Sequence, residues 1–287
     1  MHKRKLTILL GPTGVGKTDR SISIAKSLDS PVISCDSRQL YKEMSIGTAV
    51  PSAEQLAAVR HYFIQDHSIH DVYTAGRYEL EAISLIERLF DEGRENLVMV
   101  GGSGFYIDAV CNGLDDFPPA DSKLREQLSR RLREEGVEAL RTELKILDPE
   151  SYRTIDIANG QRVVRALEVC LMTGRPFSSF KTEPRKKRSF EIEKTGFIRP
   201  RDELYARIDS RVLQMIRDGL VEEVRSLYGQ RELPALQTVG YKEIFGFLDG
   251  EYSLDRAVEL IQRNTRRYAK RQISWWARDK EIKWTEL

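Results

Sequence analysis

The segment Leu9-Leu10-Gly11-Pro12-Thr13-Gly14-Val15-Gly16-Lys17-Thr18 has the spacing G-x-x-x-x-G-K-[ST] of a phosphate-binding loop. A short apolar run at residues 6–10 precedes it with the length of a buried strand, and a helical pattern follows at 21–28. Glycines between a strand and a helix start let backbone N–H groups converge on an anion at the positive end of the helix. The Lys17 ammonium adds charge at the terminal phosphates, and the Thr18 hydroxyl is a candidate Mg²⁺ ligand. The segment therefore predicts a site for a ligand with two linked phosphates.

The composition is that of a globular protein with an abundantly charged surface. The 287 residues are 40% hydrophobic and 31% charged, and the net charge is only +2. Any affinity for a polyanion must therefore come from uneven charge distribution. The three cysteines form no C-x-x-C pair, and no apolar run approaches the roughly 18 residues of a membrane span. These features predict a cytoplasmic protein with reduced thiols and no contact with a membrane.

The first part of the chain alternates short apolar runs with helical patterns. We expect further strands at 32–35, 61–64 and 97–100, and helices at 52–60 and 77–90. This order predicts an α/β fold, a P-loop-containing parallel sheet core with helices on both faces.

The middle of the chain has a different pattern, which is helical and locally basic. Residues 120–194 contain 17 Lys and Arg against 13 Asp and Glu, and the strands stop near residue 117. The basic run Arg185–Arg188 lies near the end of this stretch. We therefore divide the chain into a catalytic core at 1–116 and 190–287 and a mostly helical insertion at 117–189.

The last part of the chain returns to the core. Alternation at 190–198 predicts a strand, and helical periods follow at 202–219, 220–228, 241–248 and 253–276. The last helix carries five cations, at 263, 266, 267, 270 and 271. Such a run is usually a solvated face, unless a polyanion is otherwise expected.

Asp36 follows the second predicted strand. The carboxyl ends of parallel strands face the ligand crevice, so Asp36 should point toward the phosphate loop. A carboxylate there can ligate Mg²⁺ or accept a proton, and the alternative is an ordinary turn or capping Asp.

The fourth predicted strand ends in Gly101-Gly102-Ser103, where an ATPase motor would have an acidic residue. Ser103 could donate to a phosphate, or the segment could be a simple turn before a helix. The histidines at 61, 67 and 70 lack the spacing of a metal site. These residues alone indicate a P-loop enzyme, and a small-molecule kinase fits them too.

The motifs taken together resemble those of the tRNA dimethylallyltransferases. The matching segments occur in the family's order and cover nearly the whole chain, at residues 11–18, 36–41, 46–49, 101–107, 161–169, 239–243 and 269–275. The resemblance implies transfer of a dimethylallyl group from dimethylallyl diphosphate to the exocyclic N6 of the adenosine adjacent to the anticodon, with release of diphosphate.

The resemblance also assigns roles to individual residues. It implies that the phosphate loop and Arg211 hold the diphosphate with Mg²⁺ at Thr18, that Asp36 accepts the N6 proton, and that Ser103 takes part in catalysis. It places tRNA contacts at Asp36, Ser37, Arg38, Gln39, Ser103, Arg125, Gln161, Arg162, Val163, Val164 and Arg165. The partners would be tRNA and dimethylallyl diphosphate, and we expect a monomer.

Three positions depart from the family pattern. Ser103 stands where the family usually has Thr, Asn159-Gly160 replaces Asn-Asp-Pro, and Arg60-His61-Tyr62 replaces Pro-His-His. Because of the second departure, the geometry of the turn before Gln161 is an open question at this point.

Three other functions remain as alternatives. An adenylate isopentenyltransferase shares the loop and the Asp but has no use for a long basic insertion. A P-loop kinase would hold ATP in the loop. An RNA-binding module with a vestigial loop is disfavoured by the intact Lys17, Thr18 and Asp36.

Overall fold

The computed structural model describes residues 4–181 and 186–287. The chain forms two compact units, a core unit of residues 1–112 and 187–287 and a helical unit of residues 113–186. The sequence placed the boundaries of the insertion at 117 and 189. Of the predicted basic run 185–188, Arg185 lies outside the described residues.

The core unit is built on a six-stranded sheet in which every pair of neighbours is parallel. The strands are β1 (Lys5–Leu10), β2 (Val32–Ser34), β3 (His61–Tyr62), β4 (Asn96–Gly101), β5 (Glu191–Ile198) and β6 (Lys283–Glu286). Their order across the sheet is β3-β2-β4-β1-β5-β6. The predicted α/β class with a parallel sheet is confirmed.

The central strands read as continuous apolar runs because both of their faces are covered. Leu6, Ile8, Leu9 and Leu10 of β1 are all buried, as expected for a parallel sheet between two helix layers. Strand β6 was missed by the sequence prediction. It is a short edge strand whose four residues are all exposed, so it carries no apolar alternation.

Eight α-helices belong to the described residues of the core unit. They are α1 (Lys17–Ser27), α2 (Ala53–Ala58), α3 (Ala75–Asp91), α4 (Gly104–Asn112), α9 (Arg201–Arg217), α10 (Leu220–Ser226), α11 (Tyr241–Leu248) and α12 (Leu254–Trp276). Caps set several of these boundaries. Ser52 begins α2 with a reciprocal capping box to Gln55, and the side chains of Thr74 and Ser253 cap α3 and α12.

The helical unit contains α5 (Ser122–Glu135), α6 (Val137–Leu147), α7 (Pro149–Thr154) and α8 (Gly160–Thr173). Helices α5 and α6 are separate because Gly136 lies between them with φ 79°, a conformation that favours glycine. Leu128, Leu140, Leu144 and Leu167 form its buried centre. None of the helices in the described part of either unit is long and apolar enough to span a membrane.

The sheet brings four chain segments to one edge of the core unit. The loop at 11–16 follows β1, Asp36 follows β2, Gly102 follows β4 and Arg199 follows β5. Since these strands are parallel, all four segments leave the same carboxyl edge.

Candidate active site

The phosphate loop connects β1 to α1 in the conformation that an anion site requires. Gly16 caps α1 in the left-handed region with φ 105°, and Gly14 has φ 84°. A Cβ on Gly14 would lie 2.8 Å from Ile208 Cγ1, so the loop also packs closely against α9. Glycine is needed at both positions, and the first turn of α1 directs free amides into the crevice.

Lys17 is held inside this loop. Its ammonium donates to the carbonyls of Gly11 and Pro12 at 2.7 and 2.9 Å. The pKa of Lys17 is lowered to about 8, mainly because the group is buried. The Arg211 cation contributes to this lowering, and the Asp36 carboxylate opposes it. An anion placed at the loop would raise this pKa again, because it stabilises the charged form.

Three arginines that follow β5 or lie on α9 bind the phosphate loop. Arg199 Nε donates to Val15 O, and Arg207 Nε donates to Gly14 O, both at 2.9 Å. Arg211 donates to the hydroxyl of Thr13, and its buried Nε has no hydrogen-bond partner among the described residues. Burial lowers the pKa of Arg211, and the Asp36 carboxylate opposes this. A buried guanidinium with an unused donor beside the loop fits an absent anion.

Asp36 uses only one of its two carboxylate oxygens in hydrogen bonds with the described residues. Its Oδ1 accepts from the amides of Arg38 at 2.9 Å and Gln39 at 3.3 Å, which makes it a turn residue. Its Oδ2 has no hydrogen-bond partner within the part of the chain described, and Asp36 lines the cavity. One oxygen therefore fixes the turn and leaves the other for a ligand.

Ser103 joins the loop after β4 to the Asp36 turn. Its hydroxyl accepts from Ser37 N at 3.0 Å and donates to Ser37 Oγ at 3.1 Å. Burial raises the pKa of Tyr268, which lines the same cavity, to about 12. The contacts with Ser37 need only a hydroxyl, so Ser serves where the family usually has Thr.

Gln272 of α12 connects the two glycine-rich loops. Its Oε1 accepts from Thr13 N and its Nε2 donates to Gly102 O, each at 2.8 Å. The side chain is buried, and a Cβ on Gly102 would lie 2.4 Å from Nε2. Gln272 thereby fixes the phosphate loop relative to the segment that carries Ser103.

A second loop, residues 45–49, forms another wall of the site. Glu223 holds it, since its carboxylate accepts from the amides of Ser45, Ile46 and Gly47 at 2.7–3.0 Å and from the Tyr241 hydroxyl at 2.6 Å. Gln39 donates from Nε2 to Thr48 O and Ala49 O at 3.1 and 2.8 Å. Glu223 thereby connects the segment 46–49 to the segment 239–243, since it bonds both Gly47 and Tyr241.

The segments enclose a cavity of about 1010 Å³. Lys17, Thr18, Asp36, Arg211 and Gln272 all line it. Its walls also include the apolar side chains Val50, Val212, Met215, Val239 and Ile261. The cavity thus offers cations at one place, a carboxylate at another, and apolar surface for a hydrocarbon group.

In the helical unit, the predicted tRNA contacts Arg125 and Arg165 are engaged with a carboxylate. Arg125 Nη2 donates to Glu168 Oε2 at 2.6 Å, and Arg165 Nη1 donates to the same oxygen at 2.9 Å. Arg165 also donates to Pro118 O at 2.9 Å. Glu168 is 0% exposed. Both arginines therefore compensate a buried charge within this unit.

The remaining predicted contacts in α8 divide into two groups. Gln161 and Arg162 are exposed. Val163 and Val164 are 0% and 2% exposed and pack in the helical core. The side chains of both valines face the interior of the helical unit because α8 is amphipathic, and tRNA contact at these two positions stays a prediction. The open question about Asn159-Gly160 is answered, since Asn159 caps α8 and accepts from Arg162 N at 3.3 Å.

No group of three or more His, Cys, Asp or Glu side chains that could hold a metal ion occurs among the described residues. His61, at the third departure from the family pattern, hydrogen-bonds through Nδ1 to Val59 O at 2.7 Å. Burial lowers its pKa. Its position in β3 is structural, although it also lines the cavity.

Sequence reasoning assigned no role to several residues of this site. Gln272, Glu223 and Arg207 are polar side chains that bond backbone groups far away in the chain. Gln272 lies within the quoted motif 269–275, which was the available signal. Arg207 precedes Arg211 by one helical turn on α9, which places both on the face toward the loop.

The chain is similar to proteins of known family along nearly its full length. A model of the IPP transferase family matches residues 39–279. A tRNA dimethylallyltransferase 1 of Bacteroides fragilis is 49% identical over 284 residues, which cover 99% of this chain and 94% of that protein.

Two solved structures have the same fold. The full-length tRNA isopentenylpyrophosphate transferase of Bacillus halodurans superposes with a TM-score of 0.72 at 36% identity, over 99% of this chain and 90% of the other. A eukaryotic dimethylallyltransferase acting on tRNA gives a TM-score of 0.81 at 25% identity, over 99% and 74%. The fold and site define a P-loop α/β enzyme. The chain belongs to the IPP transferase family.

Proposed function

We propose that the protein transfers a dimethylallyl group from dimethylallyl diphosphate to the N6 amine of the adenosine adjacent to the anticodon in tRNA. The observation that carries this proposal is the cavity in which Lys17 and Arg211 face Asp36. Neither cation has a salt bridge within the described ranges, and Arg211 Nε has no partner there. Such a site is suited to an anion that stays bound while a group is taken from it.

The phosphate loop, Lys17 and Arg211 would hold the diphosphate. As the bond from the allylic carbon to the diphosphate breaks, negative charge grows on the leaving group, and these donors are already in place to stabilise it. Thr18 lines the cavity in the first turn of α1, and Asp36 offers a free oxygen on the same cavity. Hard oxygen ligands of this kind suit Mg²⁺, which is usually held by few protein groups and by phosphates. When bound, Mg²⁺ would neutralise part of the leaving charge.

Asp36 would accept the proton of the attacking amine. An adenine amine is a weak nucleophile, so a base within hydrogen-bond reach of it is needed. Oδ1 is committed to the amides of Arg38 and Gln39, which orients the carboxylate and leaves Oδ2 for the proton. Ser103 stabilises the same turn through its bonds to Ser37.

An adenosine within a stacked loop cannot reach a cavity of this kind, so the base would leave its stack on binding. Ser37, Arg38 and Gln39 would then contact the RNA around it. The tRNA specificity of the relatives named above supports RNA rather than a free nucleotide as the acceptor. We propose a monomeric protein that acts in the cytoplasm.

The proposal is tested by incubating the protein with labelled dimethylallyl diphosphate, Mg²⁺ and either tRNA or AMP. Label is expected in tRNA only. Label in AMP alone would identify an adenylate isopentenyltransferase, and label in neither would contradict prenyl transfer. Asp36→Asn is the matched variant, because it keeps the turn acceptor while removing the base. It should abolish transfer and leave tRNA binding intact, whereas equal loss of both would make Asp36 a recognition residue.

A further inference from the structure

Two aromatic side chains beside the active site are unusually exposed. Phe105 in the first turn of α4 is 53% exposed, and Trp275 near the end of α12 is 42% exposed. Burying such rings is normally favourable, so exposed aromatic rings near a site suggest a ligand that covers them.

The Trp275 ring is held in a fixed position rather than free in solvent. Its Nε1 donates to Asp108 Oδ2 at 2.9 Å, which ties α12 to α4. A Cβ on Gly104 would lie 2.6 Å from Cδ1 and Nε1, so the indole lies directly against the Gly104 backbone. A ring that is fixed before binding loses little entropy when a ligand stacks on it.

Both rings are joined to the segment that carries Ser103. Phe105 follows Ser103 by two residues. Trp275 lies three residues after Gln272, which is bonded to Gly102 O at 2.8 Å. The two rings are therefore two and three residues along the chain from side chains that fix the loops of the site.

A row of three exposed arginines on α12 ends at Trp275. Arg263, Arg267 and Arg271 precede it at intervals of four residues, so they share one exposed strip of the helix surface. None of the three has a salt bridge anywhere in residues 4–181 and 186–287. Other arginines of α12 are paired, Arg256 with Glu259 and Arg266 with Asp209. The charge on this strip is thus available to a polyanion.

We propose that Trp275 and Phe105 form a stacking site for an unpaired base of the anticodon loop, with Arg267 and Arg271 binding the phosphates that lead to it. Fixed aromatic rings next to available arginines are the usual means of holding single-stranded nucleic acid. A second copy of this chain fits less well, because three adjacent unpaired arginines would repel one another across an interface. The inference rests on the proposed function, since it takes tRNA as the substrate.

The experiment measures binding of a labelled anticodon stem–loop RNA without dimethylallyl diphosphate, from about 50 to about 200 mM salt. Trp275→Ala should weaken binding about tenfold, as expected for one lost base stack, without changing the salt dependence. Arg267→Gln and Arg271→Gln should each weaken binding and reduce the slope of log K against log salt by about 0.7–0.9. Trp275→Phe keeps a ring and should bind within about threefold of the unchanged protein.

The control variants separate stacking from general effects. Arg256→Gln removes a paired charge from the same helix, and Trp284→Phe alters an exposed tryptophan of β6; both should leave binding unchanged. A blunt RNA duplex without the loop should not distinguish Trp275→Ala from the unchanged protein. Unchanged loop binding by Trp275→Ala, or an equal loss of duplex binding, would overturn the inference.

Two further outcomes are distinguishable. If sedimentation shows a dimer that Trp275→Ala dissociates, the rings bind a second copy and the inference is wrong. If the unchanged protein neither binds the stem–loop nor prenylates tRNA, the proposed function fails instead.

Discussion

The two units of this protein use arginine in opposite ways. In the core unit, Arg211 lies beside the phosphate loop, bonds the Thr13 hydroxyl and keeps a buried Nε that has no partner among the described residues. In the helical unit, Arg125 and Arg165 both bond Glu168, whose carboxylate is fully buried. The first arrangement is incomplete without an anion, whereas in the second a carboxylate inside the unit already engages both cations. A positive residue in a basic stretch therefore need not be available to RNA.

The largest effect is expected when both arginines that pair with the buried Glu168 carboxylate are removed. Arg125→Ala combined with Arg165→Ala leaves a carboxylate buried without a cation, which should lower the free energy of unfolding of that unit by about 3–5 kcal/mol. Hydrogen exchange of the α8 amides in the full chain measures this locally. Adding Glu168→Gln should restore most of the protection, because the buried charge is then gone. If exchange in α8 is unchanged by the double substitution, the arginines do not stabilise this unit.

The next effect concerns catalysis rather than stability. Arg211→Gln should lower the rate of the chemical step about 10²–10³-fold, as the loss of one preorganised donor to a developing negative charge does. Single-turnover transfer to tRNA measures it, and tRNA binding should be unaffected. Arg217→Gln, at an exposed position of the same helix, is the control and should be fully active. A normal rate for Arg211→Gln would place the diphosphate elsewhere.

The sequence predicted this contrast only in part. The phosphate loop, the parallel sheet and Asp36 could be found because each depends on local spacing that the chain shows directly. The pairing of Arg125 with Glu168 could not, since it depends on how α5 and α8 pack, which brings residues 43 positions apart together. The pair Arg165–Glu168 is local, three residues apart on α8, but its burial depends on the same packing. Gln272 lay in a recognised motif, but its bond to Thr13 spans 259 residues. The inward orientation of Val163 and Val164 follows from the apolar period of α8, which places both in the core of the helical unit.

A smaller effect follows from the pKa of Lys17. Burial holds it near 8, so below that pH the ammonium is charged and binds diphosphate, and above it the charge is lost. Affinity for dimethylallyl diphosphate should fall by up to about tenfold per pH unit above 8. In the unliganded protein, the free energy of unfolding changes with pH in the opposite direction to the affinity for dimethylallyl diphosphate. The unfolded chain binds one more proton between about 8 and 10.5, so stability should rise with pH there.

Calorimetric titration with dimethylallyl diphosphate across this range measures the effect, with Lys17→Met as the control. The variant should bind more weakly and lose the decline above pH 8 that the unchanged protein shows. If the decline persists in Lys17→Met, another group causes it.

The smallest effect distinguishes the two kinds of arginine within a single helix. Arg162 is exposed at the start of α8 and has no salt bridge in the described ranges, whereas Arg165, one turn later, is bonded to Glu168. Arg162→Ala should reduce the slope of log K against log salt for tRNA binding by about 0.7–0.9, which changes affinity only about threefold between about 50 and about 200 mM salt. Arg165→Ala should leave that slope nearly unchanged while it loosens α8, because Arg165 is held inside the unit by the Glu168 carboxylate and the Pro118 carbonyl. Equal changes in slope for both variants would mean that RNA displaces Glu168 from Arg165, and the helical unit would then resemble the core unit in holding its cations for an outside anion.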